Sequence, residues 1–151
     1  MNSGGQWIFI SLAFIAGVGV TSQAASNSAM RAVLGHPVAA AIMNFIVGSI
    51  SILLYKVVTG SPWPDPAKLA SAPWWTWLGG FFGAFMVVLG ILAVPRIGAA
   101  VFFAMSIAGQ MVSSSIIDHY GLFGVPVTPF SPMRLGAILM VVGGVGLLRL
   151  K

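Results

Sequence analysis

The nine charged side chains of this 151-residue chain, seven Lys or Arg and two Asp or Glu, sit at or between the ends of apolar runs about 20 residues long. An α-helix of about 20 residues spans the about 30 Å of hydrocarbon in a bilayer. In lipid each backbone N–H and C=O must be satisfied inside the spanning structure, so separate runs of this kind are helices. Five runs qualify, at about residues 7–30, 38–58, 74–94, 99–117 and 133–150. Charged residues make up 6% of the chain, against about 25% in a soluble domain, so no water-facing surface could be assembled. The pattern predicts an all-α integral membrane protein with five transmembrane helices. They form a single domain over residues 1–151, multi-pass in the cell's inner (plasma) membrane, with no room for a separate soluble domain.

The connections support that division. "LGHP", ending at Pro37, is a short turn because proline disfavours helix at His36. "TGSPWPDPAKLASAP", residues 59–73, is a loop rich in turn formers, in which Asp65 reads as a turn residue. "WWTW", residues 74–77, places an aromatic belt at headgroup level. "PRIG", residues 95–98, is expected to allow only a tight reversal, and "DHYGLFGVPVTPFSP", residues 118–132, is a second ordered loop. The motif "SQA" before Ala25 could imitate a signal-peptide cleavage site, yet residues 1–6 carry no Lys or Arg, so cleavage is not expected.

Five spans put the termini on opposite faces. The N-terminal face then holds Lys56, Lys68 and Arg134, and the other face Arg31, Arg96, Arg149 and Lys151. Orientation follows an excess of Lys and Arg on the cytoplasmic side, and three against four is almost no excess. A chain so balanced is expected to insert both ways up. The scattered basic residues form no patch for nucleic acid and act as anchors at the membrane surface.

Polar groups inside the runs carry the functional signal. Gln23 and Asn27, four residues apart, share a face of the first helix. Ser106, Gln110, Ser113 and Ser114 repeat at helical spacing in the fourth, and Asp118 extends that line to the helix end. Such side chains face protein or water, since lipid cannot satisfy them. A lone Ser reads best as bonded to its own backbone or as glue between helices. The two stripes read as the lining of a cavity for a hydrophilic solute, and Asn44 fits either role. The expected substrate contacts are Gln23, Asn27, Asn44, Trp75, Ser106, Gln110 and Ser114. Asp118, able to titrate against a nearby Arg or His119, is the candidate for proton coupling, although an interfacial anchor is the simpler role. The glycines of "GGFFGAFMVVLG" (Gly79, Gly83 and Gly90), and Gly136, Gly143 and Gly144, suit close helix packing.

Zero cysteines exclude disulfides and thiolate chemistry. His36 has no second ligand nearby, so no metal site is expected. Neither a hydrolytic triad spacing, nor HExxH, nor a phosphate loop is present, and no enzyme activity or cofactor is expected.

Taken together, Gln23 with Asn27, "MNFIVGSI" (43–50), "PWWTWLGGFFGAF" (73–85), "VPRIGAA" (94–100), "AGQMVSSSIIDHYGLFGVP" (108–126) and "SPMRLGAILMVVGGVGLL" (131–148) resemble the YdcZ family, five-helix proteins of the drug/metabolite transporter superfamily. The likeness covers nearly the whole chain; a broader likeness to EamA-like halves is weaker. It implies a ten-helix inverted-repeat carrier made from two oppositely inserted five-helix units, an antiparallel homodimer or a heterodimer with a sister chain, with substrate near the midplane. Small multidrug resistance proteins share that logic, but their essential first-helix acidic residue has no counterpart here. The expected function is movement of a small polar, neutral or zwitterionic metabolite by alternating access. The alternatives are a small dual-topology ion channel and a non-transporting membrane partner whose amides only hold an assembly together.

Overall fold

A computed structural model describes residues 3–149. The chain divides into two compact units, Met1–Pro95 and Arg96–Lys151.

In the first unit, α1 (Ser3–Leu34) packs on α2 (Pro37–Thr59). α1 runs past Arg31, where the sequence suggested a stop, because its cap lies further on: Gly35 donates its N–H to Arg31 O at 2.9 Å, closing the helix in the left-handed cap geometry. One residue later α2 starts. The His36 Nδ1 accepts from the Val38 N–H at 3.3 Å and Pro37 occupies the first helical position, where its missing N–H costs nothing. At the far end of α2, the Gly60 N–H reaches Val57 O and the Ser61 N–H reaches Lys56 O, a Schellman closure. The Lys56 ammonium lies 4.1 Å from the Trp63 ring centroid, tying that end to the following loop by a cation–π contact. Asp65, read as a turn residue, caps the short α3 (Pro66–Ala70) by accepting the Ala67 N–H at 2.9 Å. "WWTW" forms one 3₁₀ turn, Trp74–Trp77, leading into α4 (Leu78–Ile97).

The core of this unit joins Ala40 and Ala41 of α2 to Ile91 of α4, flanked by Val87 and Val88. The small alanine side chains leave room for the branched side chains of α4 at this contact. Of the three glycines expected to form the close-packing face of α4, Gly90 is buried, whereas Gly79 and Gly83 are exposed within the chain.

The reversal expected at Pro95 is displaced. α4 continues through Pro95 to Ile97. Proline has no N–H, so the carbonyl four residues earlier, that of Ile91, loses its helical donor. Arg31 replaces it: its Nη1 donates to Ile91 O at 3.2 Å. A residue counted as a surface anchor therefore reaches across from α1 to satisfy a buried backbone group, which is what lets proline stand inside a membrane helix.

In the second unit, α5 (Ala99–Tyr120) packs on α6 (Pro132–Arg149) through buried Ser115 and Ile138, with Phe102, Ala108 and Val145 also buried. α5 ends at Gly121, whose N–H bonds Ile117 O.

Among the described residues, four helical stretches are long and apolar enough to cross a membrane: Gln6–Leu34, Pro37–Thr59, Trp74–Ile97 and Ala99–Tyr120. The fifth expected span corresponds to the shorter apolar helix Pro132–Leu148. With 18 residues, α6 is about 27 Å long; Leu150, included in the expected span, lies outside the described residues. Only 6–17% of the apolar windows of the four long helices is buried inside the chain, so lipid or other protein must cover the remainder.

The Arg31 substitution has a specific expected outcome. Loss of a hydrogen bond from a charged donor to a buried carbonyl costs about 2 kcal/mol, so Arg31→Ala should destabilise the detergent-solubilised protein by that amount. In a Pro95→Ala background the helix regains its own donor to Ile91 O, and the same substitution should cost less than about 1 kcal/mol. A double-mutant cycle by denaturant titration measures the coupling, and additive costs would show that Arg31 acts elsewhere.

Candidate functional site

The sequence-predicted residues fall into two sets. Gln23, Asn27, Asn44 and Trp75 belong to the first unit, and Ser106, Gln110, Ser114 and Asp118 to the second. On α1, Asn27 is buried at 7% exposure and shares its face with buried Ala24 and with Arg31, while Gln23, one turn earlier, is exposed. Asn44 is half-buried on α2, and Trp75 is 39% exposed in the 3₁₀ turn before α4.

Hydroxyls and amides behave differently. Ser106 Oγ donates to Phe102 O at 2.8 Å, Ser114 Oγ to Met111 O at 3.1 Å and Ser115 Oγ to Met111 O at 2.7 Å. Thr21, Ser22 and Ser51 likewise bond carbonyls of their own helices. These side chains are short enough to fold back, and in doing so they satisfy their protons locally. The amides of Gln23, Asn27, Asn44 and Gln110 enter no hydrogen bond among the described residues. Gln110 is exposed, as are its neighbours Ser113 and Ser114.

Asp118 is held in a compact cluster that joins the end of α5 to the start of α6. The Arg134 Nη1 donates to Asp118 Oδ2 at 3.0 Å, with the two side chains 34% and 35% exposed. The Asp118 carbonyl accepts the Thr128 N–H at 2.8 Å, and His119 Nδ1 accepts the Phe130 N–H at 3.1 Å. Ser131 Oγ accepts the Arg134 N–H at 3.3 Å and starts α6. The 118–132 loop is therefore ordered by two adjacent side chains that diverge, one toward the helix α6 and one toward the loop backbone. Phe123 within it has φ 58°, ψ 18°, a left-handed conformation rare for a bulky residue.

Two hollows flank the line where α5 meets α6, with Ser115 and Ile138 common to both. One, of about 190 Å³, is lined by Met111, Ser114, Asp118, Arg134 and Ala137. The other, of about 410 Å³, is lined by Val112, Ile116, His119, Tyr120, Phe130 and Leu135. One side of the α5–α6 pair is thus polar and charged, the other apolar and aromatic. On α5 the polar positions continue at four-residue steps from Asp118 through Ser114 and Gln110 to Ser106, each step turning about 40° further round the helix, about 18 Å along the axis in all.

Of the expected set, then, Ser114 and Asp118 share a hollow. Sequence reasoning did not single out Arg134 as the partner of Asp118, nor Ser115 as the buried hydroxyl of the seam. A signal for Arg134 existed: opposite charges flank one loop, and span parity puts both on the same face.

The long apolar helices and the amides that no described residue satisfies define a multi-pass helical membrane protein. Residues 8–147 match the drug/metabolite transporter family described as "Putative inner membrane exporter, YdcZ". The chain is also 30% identical over 139 residues to the inner membrane protein YdcZ of Escherichia coli (strain K12), covering 89% of this chain and 91% of that protein. No solved structure matches it. The chain belongs to the YdcZ family, and it is a multi-pass protein of the inner membrane in an exporter family, with no catalytic family indicated.

The loop that presents Arg134 gives a test of its own geometry. A Cβ on Gly121, at φ +61°, would stand 2.7 Å from Val127 Cγ2 and 3.3 Å from Val125 O, whereas one on Gly124, at φ +79°, meets nothing within 4 Å. Both alanine substitutions carry the left-handed cost of about 1–2 kcal/mol. Gly121→Ala should lower thermal stability beyond Gly124→Ala, and equal losses would mean that the loop yields freely at Val127.

Proposed function

We propose that the chain is one half of an antiparallel dimer that moves a small polar, neutral or zwitterionic metabolite across the inner membrane by alternating access. The observation that carries this reading is the pair of glutamines, Gln23 and Gln110, exposed on membrane-length helices with no hydrogen bond to their amides among the described residues. Lipid offers them no partner, so a water-accessible cavity or a second chain must.

In this reading all five apolar helices span. Two copies inserted oppositely make a ten-helix inverted repeat with the substrate near the midplane. Gln23, Asn27, Ser106, Gln110 and Ser114 contact the substrate, with Asn44 and Trp75 as further contacts. Amides and hydroxyls hold such a solute by hydrogen bonds without placing an ion in the hydrocarbon, which costs a few kcal/mol or more. Ser106 and Ser114 accept through their oxygens, their protons being committed to the helix backbone. The exporter family and the near-equal Lys and Arg on the two faces support the assembly.

Topology is the first test. Ser71→Cys and Arg149→Cys, introduced singly into a chain with no native cysteine, are exposed to an impermeant thiol reagent in intact cells. Labelling of about half the molecules at each site is expected for insertion in both orientations, and all-or-none labelling would exclude dual topology. The amides are the second test. Gln23→Ala and Gln110→Ala should change unfolding stability by less than about 0.5 kcal/mol, as surface substitutions do. Both should reduce ligand-induced stabilisation and flux at least tenfold, and full retention by both would overturn the site assignment.

A further inference from the structure

The Asp118–Arg134 pair is arranged against the electrostatics of its own helices. Asp118 lies in the last turn of α5 and Arg134 in the first turn of α6. A helix C-terminus carries partial negative charge and an N-terminus partial positive charge, so anions are favoured at the start of a helix and cations at its end. Both residues break that rule. Had the pair served only to staple α5 to α6, the opposite order, Arg at 118 and Asp at 134, would make the same ion pair and gain from both dipoles. Departures from local consistency concentrate at functional positions.

The consequence of the native order is a strong, divided field. Asp118 adds its charge to the carbonyl end of α5, and Arg134 adds its charge to the amide end of α6. The two regions of opposite sign open on one hollow of about 190 Å³, whose remaining walls are Met111, Ser114, Ser115, Ala137 and Ile138. The pair itself makes one contact, Nη1 to Oδ2, and both side chains remain about a third exposed. An ion pair of that exposure contributes little to stability, so a ligand can replace each partner's counter-charge. A lone anion or cation would free one residue and strand the other. A molecule with both charges satisfies the two together and leaves the net charge of the hollow unchanged.

We propose that this hollow is a capture subsite for small zwitterions at the mouth of the α5 polar track, the ligand's carboxylate on Arg134 and its ammonium on Asp118. This deepens the transport reading given above and rests on it for the role of capture. The volume suits about six heavy atoms at about 30 Å³ per water-sized group. In this assignment Asp118 is a receptor for an ammonium group, and the track beyond it, Ser114, Gln110 and Ser106, is neutral.

The test uses the full chain in detergent and three probes of nearly equal size: β-alanine with both charges, propionate with the negative one and propylamine with the positive one. Binding is read by thermal shift and by calorimetry. β-Alanine should bind saturably, with propionate and propylamine at least tenfold weaker. Asp118→Asn and Arg134→Gln should each weaken β-alanine at least tenfold. The charge-swapped double variant D118R/R134D keeps the ion pair and relieves both helix ends, so it should be at least as heat-stable as the native chain. Three outcomes overturn the proposal: no β-alanine binding, propionate or propylamine binding as well as β-alanine, or a swapped variant less heat-stable than the native chain, which would show that the native order serves the packing of α5 on α6. The thiol-labelling result separates the two levels of inference: all-or-none labelling of Ser71→Cys and Arg149→Cys, together with β-alanine binding that Asp118→Asn and Arg134→Gln weaken, would count against the antiparallel carrier and leave the capture subsite standing.

Discussion

A carbonyl inside a membrane needs a donor, and the first unit is organised around one that its own helix cannot supply. Pro95 takes the donor from Ile91 O, and the Arg31 guanidinium provides another. This one bond accounts for several features at once. α1 continues beyond the expected stop because Arg31 must lie within its last turn to reach α4. α4 continues through the proline because the freed carbonyl is satisfied, and Ile91 itself sits fully buried against Ala40 and Ala41. The packing of three helices therefore converges on a position where a hydrogen-bond vacancy would otherwise cost several kcal/mol in hydrocarbon.

The same accounting sorts the polar side chains. Thr21, Ser22, Ser51, Ser106, Ser114 and Ser115 close on carbonyls three or four residues back, so these hydroxyls ask nothing of the surroundings, whereas the buried Ser28 hydroxyl finds no partner among the described residues. Glutamine and asparagine carry two donors and an acceptor on a planar group, and the amides of Gln23, Asn27, Asn44 and Gln110 make no hydrogen bond among the described residues. What they lack must come from a second chain, water or solute. The charged pair adds a third kind of polar group, one satisfied in number yet misaligned with the dipoles of both helices it joins.

Much of this was legible in the sequence. The all-helical membrane class and the two longer loops follow from apolar run length and turn formers, because in lipid the backbone allows so few alternatives. Asp65 in "PWPDP" was readable as a turn residue, and it caps α3. What escaped were interactions between distant positions. Sixty residues separate Arg31 from Ile91, and nothing local distinguishes an arginine that anchors at the surface from one that turns inward to a carbonyl. Spacing puts Gly79, Gly83 and Gly90 near one face of α4, and of the three Gly90 is buried within the chain. At the candidate site, Ser114 and Asp118 were visible as continuing a helical line. Arg134 was visible as a charge, yet its pairing depends on the geometry of the loop that returns the chain to α6.

The distribution of charge along α5 fits a division of labour that the physics of the bilayer favours. Asp118 stands two residues from the helix end, where water can screen it, and the positions one, two and three turns inward carry Ser114, Gln110 and Ser106. Moving the carboxylate inward would put an ion in the hydrocarbon at a cost of a few kcal/mol or more. Replacing the amide by leucine would leave a solute nothing to exchange its water for. On the proposed reading, charge selects at the mouth and neutral groups conduct through the interior. A zwitterion suits such a route because its opposite charges partly cancel at a distance, so amides can stabilise its two ends in turn without the protein committing a fixed charge to the membrane centre.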